Sequence, residues 1–207
     1  MTALERAAPT VAGGSTTLAD ALAAAIPALA AAGVASPRAD AEQLAAYVLG
    51  VGRGHVAARL MSGDPTPLDP ATLAELRAVV GRRAAREPLQ YIVGSVGFRH
   101  LVLEVGPGVF VPRPESESVV GWAIDELRAA GPPRPVCVDL CTGSGALALA
   151  LAQEVPGATV YAVEADPAAL AWARRNIVAT GLPVTPHHAV VGRPDDDGPA
   201  GPELPTE

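Results

Sequence analysis

The first part of the chain carries apolar residues at helical spacing. Residues three or four positions apart predict a helix over residues 18–32; they are Leu18, Leu22, Ile26 and Leu29. Proline lacks the backbone N–H that an inner turn needs, so Pro27 is expected to bend or split this helix. Residues 1–17 are predicted to be a disordered leader.

Two later segments carry helix signals at their ends. Ser36 and Pro37 suit the N-cap and the first helical position, and Gly50 can end the helix in the left-handed conformation. Asp69 and Pro70 repeat the starting signal. The buried faces are predicted at Leu44, Val48, Leu73, Leu76 and Val80. We therefore expect a helical domain of about four helices over residues 18–87.

Three arginines, Arg82, Arg83 and Arg86, follow one another near the end of the last predicted helix. Cations complement the negative end of a helix dipole, so one interpretation is a solvated basic face. The other is a contact surface for a protein or ribonucleoprotein partner.

The hydrophobic period changes at Pro88. Apolar residues now alternate, as strands require, at Phe98, Leu101, Leu103 and Val105. The Gly-Pro-Gly at 106–108 supplies a turn. Residues 88–114 are predicted to form a β-hairpin linker between two domains.

From Glu115 onwards helical and strand patterns alternate. The predicted helices cover residues 115–130, 146–155 and 167–180, and the predicted strands cover 136–140, 159–165 and a region near 184–191. On the first of these helices we expect Val119, Trp122, Ala123 and Leu127 to face inward. Such alternation is typical of a parallel, doubly wound sheet in an α/β domain, here residues 115–191. Residues 192–207 are rich in Pro, Gly and Asp and are predicted to be a disordered tail.

Composition narrows the functional classes. Hydrophobic residues make up 49% of the chain and charged residues 18%, enough apolar material for a packed core. The net charge of −7 argues against direct nucleic-acid binding as the main activity. The sequence lacks an apolar run long enough to predict a membrane span.

The cysteines and histidines of the sequence predict neither a disulfide nor a metal site. Cys137 and Cys141 are too far apart along a strand and turn to bond, so we expect two thiols in a reducing cytoplasm. His187 and His188 have no third ligand nearby in the sequence, and no metal site is predicted.

A glycine-rich loop follows the first strand of the α/β domain. It runs Asp139-Leu-Cys-Thr-Gly143-Ser-Gly145, and its glycines allow the backbone a sharp turn and a close approach to a ligand. The free N–H groups at the start of the next helix favour a negative group. Glu164 ends the second strand, where a carboxylate can accept hydrogen bonds from both hydroxyls of a ribose.

Two cofactors fit this loop. Gly143, Gly145 and Ala148 satisfy the dinucleotide pattern G-x-G-x-x-A. The same loop fits the D-x-x-x-G-x-G pattern of S-adenosylmethionine-dependent methyltransferases. Asp139 favours the methyltransferase pattern. A carboxylate attracts the cationic methionine end of S-adenosylmethionine, whereas it would repel the pyrophosphate of a dinucleotide.

The segment from Arg86 to Glu117, REPLQYIVGSVGFRHLVLEVGPGVFVPRPESE, resembles the linker of the PrmC/HemK family of protein-(glutamine-N5) methyltransferases. The matching residues are Pro88, Tyr91, Gly94, Phe98, Val105, Pro112, Arg113, Pro114, Glu115 and Glu117. The resemblance continues in DAEQLAAYVLG, DLCTGSGALALALA and EADPAALAWARRN, and covers about residues 18–182.

The resemblance implies an N-terminal helical bundle that recognises substrate, a β-hairpin linker and a Rossmann-like methyltransferase domain, of which this chain carries a part. It implies S-adenosylmethionine as cofactor, bound by Asp139, Cys141, Thr142, Gly143, Ser144, Gly145 and Glu164, with Phe110 and Arg113 lining the site. Two of these residues depart from the family pattern. Cys141 replaces the commonest Gly, which should not prevent binding if its φ is negative, and Glu164 replaces the commoner Asp.

The implied substrate is the glutamine of the Gly-Gly-Gln motif in class-1 peptide chain release factors, the expected partners of a monomeric protein. A glutamine methyltransferase acting on a ribosomal protein shares these motifs. A non-catalytic module that docks a release factor is a further alternative.

The family's catalytic Asn-Pro-Pro-Tyr motif is absent, and Asn176 is the only asparagine. We therefore assign no catalytic residue and expect a truncated or frame-shifted family member. It should leave an apolar sheet edge exposed, bind cofactor weakly or not at all, and transfer no methyl group by itself.

Overall fold

A computed structural model describes residues 16–192. The chain divides between Leu89 and Gln90 into two compact units. The predicted leader and tail lie almost wholly outside the described residues. The helices and strands are α1 Leu18–Ala31, α2 Pro37–Leu49, α3 Arg53–Met61, α4 Pro70–Ala84, α5 Leu89–Val93, β1 Ser95–Phe98, β2 Leu101–Glu104, α6 Pro114–Ala130, β3 Val136–Leu140, α7 Ala146–Glu154, β4 Thr159–Glu164, α8 Pro167–Thr180 and β5 Val184–His188.

The first helix, α1, is continuous through Pro27, so Pro27 does not split it, and the alternative expectation of a bend stays a prediction. Its start is fixed by a capping box, in which the Thr17 hydroxyl accepts from the Asp20 N–H and the Asp20 carboxylate accepts from the Thr17 N–H. Leu22 and Leu29 are buried on its inner face, while Pro27 lies on the exposed side. Packing on both sides of the proline holds the helix together despite one missing backbone hydrogen bond.

The end signals of α2 and α4 were mostly predicted correctly. Gly50 ends α2 in the left-handed conformation, with φ of 63°. Asp69 caps α4 by accepting from the N–H groups of Ala71 and Thr72, each at 3.0 Å. Ser36 occupies the N-cap position of α2, but its side chain makes no capping hydrogen bond.

The arginines at the end of α4 bind within the helical unit. Arg83 pairs with Asp40 of α2 at 2.7 Å, and Arg86 donates to the Gly33 carbonyl after α1. Arg82 pairs with the carboxylate five residues later. A purely solvated face is therefore wrong for this cluster, because Arg83 and Arg86 fasten the end of α4 to the first two helices.

The hairpin linker forms as predicted, and its strands are joined at residues 99–100. Phe98 pairs with Leu101, so Arg99 and His100 form a two-residue turn, with Arg99 at φ of 51°. The Gly-Pro-Gly at 106–108 comes after the second strand, where it redirects the chain towards α6. The turn predicted at Gly-Pro-Gly is present, but it follows the hairpin and does not join its two strands.

The buried face of α6 is shifted from the predicted one. Val120 and Ile124 are buried, whereas Val119 and Trp122 are 62% and 68% exposed. Val119 and Trp122 form one apolar stripe at helical spacing, and Val120 and Ile124 form a neighbouring one. Only the position of α7, against which α6 packs, selects between them.

The α/β alternation is confirmed. Strands β3, β4 and β5 form a parallel sheet in that order, with Asp139 opposite Ala162 and Glu164 opposite His188. The carboxyl ends of parallel strands meet at one edge of a sheet. The loop after β3 and the end of β4 are therefore neighbours.

One face of β3 carries exposed apolar side chains. Val136, Val138 and Leu140 are 55%, 39% and 53% exposed, whereas Cys137, which points to the other face, packs against the hydrophobic core. The predicted exposure of apolar surface at this sheet is confirmed. No helix within residues 16–192 has the length and apolar character needed to cross a membrane.

Candidate cofactor-binding site

The glycine loop connects the end of β3 to the start of α7. Gly143 and Gly145 adopt φ of 58° and 84°, in the region that glycine favours. A Cβ at Gly145 would stand 3.4 Å from the Leu149 side chain and 3.5 Å from Ala173 of α8. A Cβ would therefore fit in the space at 145, and it is the positive φ of the turn that favours glycine there.

Asp139 holds the loop from inside. Its Oδ2 accepts from the Thr142 hydroxyl at 2.6 Å and from the Ala148 N–H at 3.2 Å. The strand end, the loop and the first turn of α7 are thereby joined through one carboxylate oxygen. Burial raises the pKa of Asp139, although the Thr142 hydrogen bond opposes the shift. Because both hydrogen bonds use Oδ2, the predicted contact of Asp139 with a ligand would be made by Oδ1.

Two further backbone hydrogen bonds shape the same loop. The Thr142 N–H donates to the Val163 carbonyl at 3.0 Å, and the Gly145 N–H donates to the Thr142 carbonyl at 2.9 Å. Thr142 and Ser144 are buried, with 6% and 2% exposure. The loop is therefore held both by a hydrogen bond within itself and by one to the end of β4.

Cys141 adopts a conformation that we did not expect. Its φ is 59°, and the side chain is exposed. The condition under which this cysteine should be harmless, a negative φ, is not met. A left-handed conformation costs a residue with a Cβ about 1–2 kcal/mol, which explains why glycine is the family's usual choice.

Glu164 is held by three backbone N–H groups. Its Oε2 accepts from Gly143 at 2.9 Å, and its Oε1 accepts from Ala165 at 2.9 Å and Asp166 at 3.0 Å. An ionised carboxylate has about four acceptor positions, so one further hydrogen bond can form on Oε2. Accepting from both hydroxyls of a ribose would require Glu164 to release one backbone N–H.

The charge at this edge of the sheet favours a cationic ligand. Repulsion from Glu164 adds to burial in raising the pKa of Asp139, so the two carboxylates act on one another. A pyrophosphate would bring further negative charge beside them, whereas the sulfonium and ammonium groups of S-adenosylmethionine would be attracted. The residues present thus fit S-adenosylmethionine better than a dinucleotide.

The linker reaches the loop through Val109. A Cβ at Gly143 would lie 3.8 Å from the Val109 side chain, and Val109 is buried. The Tyr91 hydroxyl donates to the Val109 carbonyl and holds this residue in place. Phe110 and Arg113 follow with exposed side chains, Phe110 at 86%, and within the described residues Arg113 makes no hydrogen bond to the loop.

Asn176 of α8 contacts the loop but was not predicted as a site residue. Its side chain donates to the Ser144 carbonyl at 2.9 Å. The sequence carried a signal for it, because Ala169, Ala173 and Asn176 share one helical stripe and Asn176 is its polar member. A buried amide in such a stripe needs partners, and here they are backbone groups of the site.

Two family models match the chain. The model described as PrmC N-terminal domain matches residues 20–94, and the model described as methyltransferase small domain matches residues 124–194. The release factor glutamine methyltransferase of Streptomyces coelicolor is 55% identical over 170 residues, which cover 82% of this chain and 58% of that protein. The enzyme of the same name from Mycolicibacterium smegmatis is 54% identical, over 82% of this chain and 57% of that protein.

The chain belongs to the PrmC/HemK family. It spans somewhat more than half the length of these two relatives. The predicted family and fold class are confirmed, and S-adenosylmethionine is the cofactor that the methyltransferase domain implies. The domain boundaries, and the roles of Asp139, Arg113, Phe110, Glu164 and residues 141–145, stay predictions.

Proposed function

We propose that the protein serves the S-adenosylmethionine-dependent methylation of the glutamine side-chain amide in the Gly-Gly-Gln motif of class-1 peptide chain release factors. The second unit supplies the cofactor site, at the edge of the sheet where the glycine loop meets Glu164. The names of the relatives support the substrate class.

The observation that carries the proposal is the hydrogen bond from the Gly143 N–H to the Glu164 carboxylate, at 2.9 Å. It joins the two strand ends at which such a cofactor would bind, and it leaves one acceptor position of Glu164 for a further hydrogen bond. Asp139 lies beneath the same loop and adds a second carboxylate. The bound cofactor would supply an electrophilic methyl group, and these residues would orient it and offset its positive charge.

The glutamine amide nitrogen is a poor nucleophile because its lone pair is delocalised into the carbonyl. The family resemblance implies that the Asn of Asn-Pro-Pro-Tyr orients this nitrogen by accepting its hydrogen bonds. The 207-residue chain contains no such motif, so we expect it to transfer no methyl group by itself. Robust methylation of a release factor by this chain would contradict that expectation.

The cofactor site is tested by the substitution Glu164→Ala. We expect the affinity for S-adenosylhomocysteine, weak in this chain, to fall by about 1–3 kcal/mol, because a charged hydrogen-bond acceptor is lost. Isothermal titration at high protein concentration measures the change. Glu126→Gln, which removes an exposed charge on α6, is the matched control and should leave the affinity unchanged.

An unaltered affinity in Glu164→Ala would contradict the assignment of Glu164 to the ribose. Saturable binding of a nicotinamide dinucleotide that is lost in the same variant would favour a dinucleotide enzyme instead. Thermal unfolding of both variants tests whether a loss of binding comes from loss of the fold.

The substrate class is tested by capture of purified partners. A class-1 release factor should be retained by this protein, and retention should increase with S-adenosylmethionine. Retention that is indifferent to the cofactor would indicate a docking module. Retention of a ribosomal protein in place of the release factor would indicate the alternative glutamine methyltransferase.

A further inference from the structure

A buried amide side chain joins the linker hairpin to the glycine loop. Asn176 on α8 is 1% exposed and makes three hydrogen bonds, all to backbone groups. We propose that Asn176 is a positioning residue, which sets the conformation of the glycine loop from the side of the linker. The inference rests on the proposed function in that the loop is taken to hold the cofactor.

Asn176 acts as a strand partner for the open edge of β2. Its Oδ1 accepts from the Glu104 N–H at 2.7 Å, and its Nδ2 donates to the Glu104 carbonyl at 3.0 Å. The Val105 N–H bonds to Gly94 on the β1 side, so the backbone groups of Glu104 point the opposite way. The amide therefore replaces the strand that this edge lacks in the described part of the protein.

The third hydrogen bond reaches the cofactor loop. The second Nδ2 proton is donated to the Ser144 carbonyl at 2.9 Å. Fixing this carbonyl fixes the plane of the Ser144–Gly145 peptide. The N–H of that peptide then points to the Thr142 carbonyl, to which it donates at 2.9 Å. One side-chain amide thus controls the orientation of the last peptide of the glycine loop, where the chain enters α7.

The same face of α8 holds the linker at a second point. A Cβ at Gly106 would come within 2.6 Å of the Trp172 ring, and the indole N–H donates to the Pro107 carbonyl at 3.2 Å. Further along the linker, the Val109 side chain lies 3.8 Å from the position that a Cβ on Gly143 would take. The linker therefore approaches the loop directly through Val109 and is tied to it through α8.

Only an amide satisfies all three backbone groups. Aspartate would keep an acceptor for the Glu104 N–H but would place its second oxygen against two carbonyl oxygens. An apolar residue would leave the buried Ser144 carbonyl and the Glu104 carbonyl without this donor. A substitution at Asn176 should therefore alter the conformation of the glycine loop. It should also destabilise the protein by more than the loss of a single contact on α8 would.

The first experiment uses the unsubstituted protein. Because Asn176 is the only asparagine, labelling with ¹⁵N-asparagine produces a single side-chain NH2 pair in the NMR spectrum. We expect both protons to exchange slowly with solvent and to shift when S-adenosylhomocysteine saturates the protein. A pair that exchanges rapidly, or that does not shift at saturation, would overturn the proposal.

The second experiment compares Asn176→Asp with Thr180→Ala. Thr180 lies one turn later on α8, and within residues 16–192 its hydroxyl bonds to carbonyls of its own helix and to no other element. In Asn176→Asp we expect the dissociation constant for S-adenosylhomocysteine to rise about tenfold or more. Hydrogen exchange at the amides of Gly143 and Gly145 should accelerate in the same variant. Thr180→Ala should leave both quantities unchanged.

The outcomes separate the two proposals. Absence of S-adenosylhomocysteine binding by the unsubstituted protein agrees with the weak or absent affinity expected of this chain, and loop amide exchange alone then decides the role of Asn176. A folded Asn176→Asp with unaltered loop exchange overturns the positioning role whatever the ligand does. If this variant does not fold, Asn176→Ser, which introduces no charge, is measured in the same way.

Discussion

Residues with positive φ show how single side chains strain or ease the cofactor loop. Gly143, Gly145 and Cys141 all lie in the left-handed region within five positions. The two glycines occupy it without cost, whereas the Cβ of Cys141 does not. The exposed thiol has no compensating contact among the hydrogen bonds of the described residues.

This strain predicts the effect of substitution at Cys141. Cys141→Gly should be more stable than Cys141→Ala by about 1 kcal/mol, because only glycine relieves the left-handed strain. Urea unfolding of the two variants measures the difference, and the alanine variant controls for loss of the thiol. Equal stabilities would show that the loop does not hold position 141 at positive φ in solution.

Contacts between elements fasten the hairpin to the α/β domain through one carboxylate. Glu154, at the end of α7, is 7% exposed and pairs with Arg99 of the hairpin turn, whose second nitrogen lies at 2.8 Å. Arg128 of α6 donates to the Glu154 carbonyl at 2.7 Å. Arg99, at positive φ, is thus held where it can bind Glu154. The hairpin turn, α6 and α7 are separate in the sequence and meet at Glu154, through its carboxylate and its backbone carbonyl.

The pairing predicts how stability depends on pH. The hydrogen bonds from Arg99 lower the pKa of Glu154 below its ordinary value. A lowered pKa in the folded state adds stability above the unfolded pKa of about 4.3, and this stability is lost as the pH falls through the folded pKa. Glu154→Gln should lose about 1.5–3 kcal/mol at pH 7 and should show a flatter decline below pH 5.

Urea unfolding between pH 3 and pH 7 measures this difference. Glu87→Gln is the matched control, because Glu87 binds Arg82 through two hydrogen bonds in an exposed pair. Exposed pairs contribute little to stability, so this control should lose much less than Glu154→Gln. An equal loss in both variants would contradict the special position of Glu154.

The faces of helices were harder to predict than the helices themselves. The alternation of strands and helices in the second unit was predicted correctly from periodicity and end signals. On α6, by contrast, Val119 and Val120 are neighbours of similar character, and only one of them is buried. A helix with two apolar stripes does not itself contain the information about which one a distant element will cover.

Across the whole molecule, the uncovered face of β3 has a physical consequence. Val136, Val138 and Leu140 expose apolar side chains in a row along one strand. Exposed apolar patches bind hydrophobic dyes and promote self-association. We expect the 207-residue chain to enhance the fluorescence of anilinonaphthalene sulfonate at neutral pH.

The double substitution Val138→Thr with Leu140→Thr should reduce this fluorescence strongly at little cost in stability, because threonine keeps β-propensity. Fluorescence titration and sedimentation measure dye binding and association. Val102→Thr is the control, since Val102 is exposed on the separate two-stranded hairpin sheet. Dye binding that is unaffected by the double substitution would locate the apolar surface elsewhere.

The sequence by itself determined the class of the second unit, the order of its elements and the glycine loop with Glu164, because local periodicity and turn chemistry act over a few residues. The family followed from a long series of ordered motifs. The tertiary structure alone decided which stripe of α6 is buried, where the hairpin turns, and what Asn176 and Glu154 bind. The contacts of Asn176 and Glu154 join groups that lie 26 to 72 positions apart and meet only when the chain has folded.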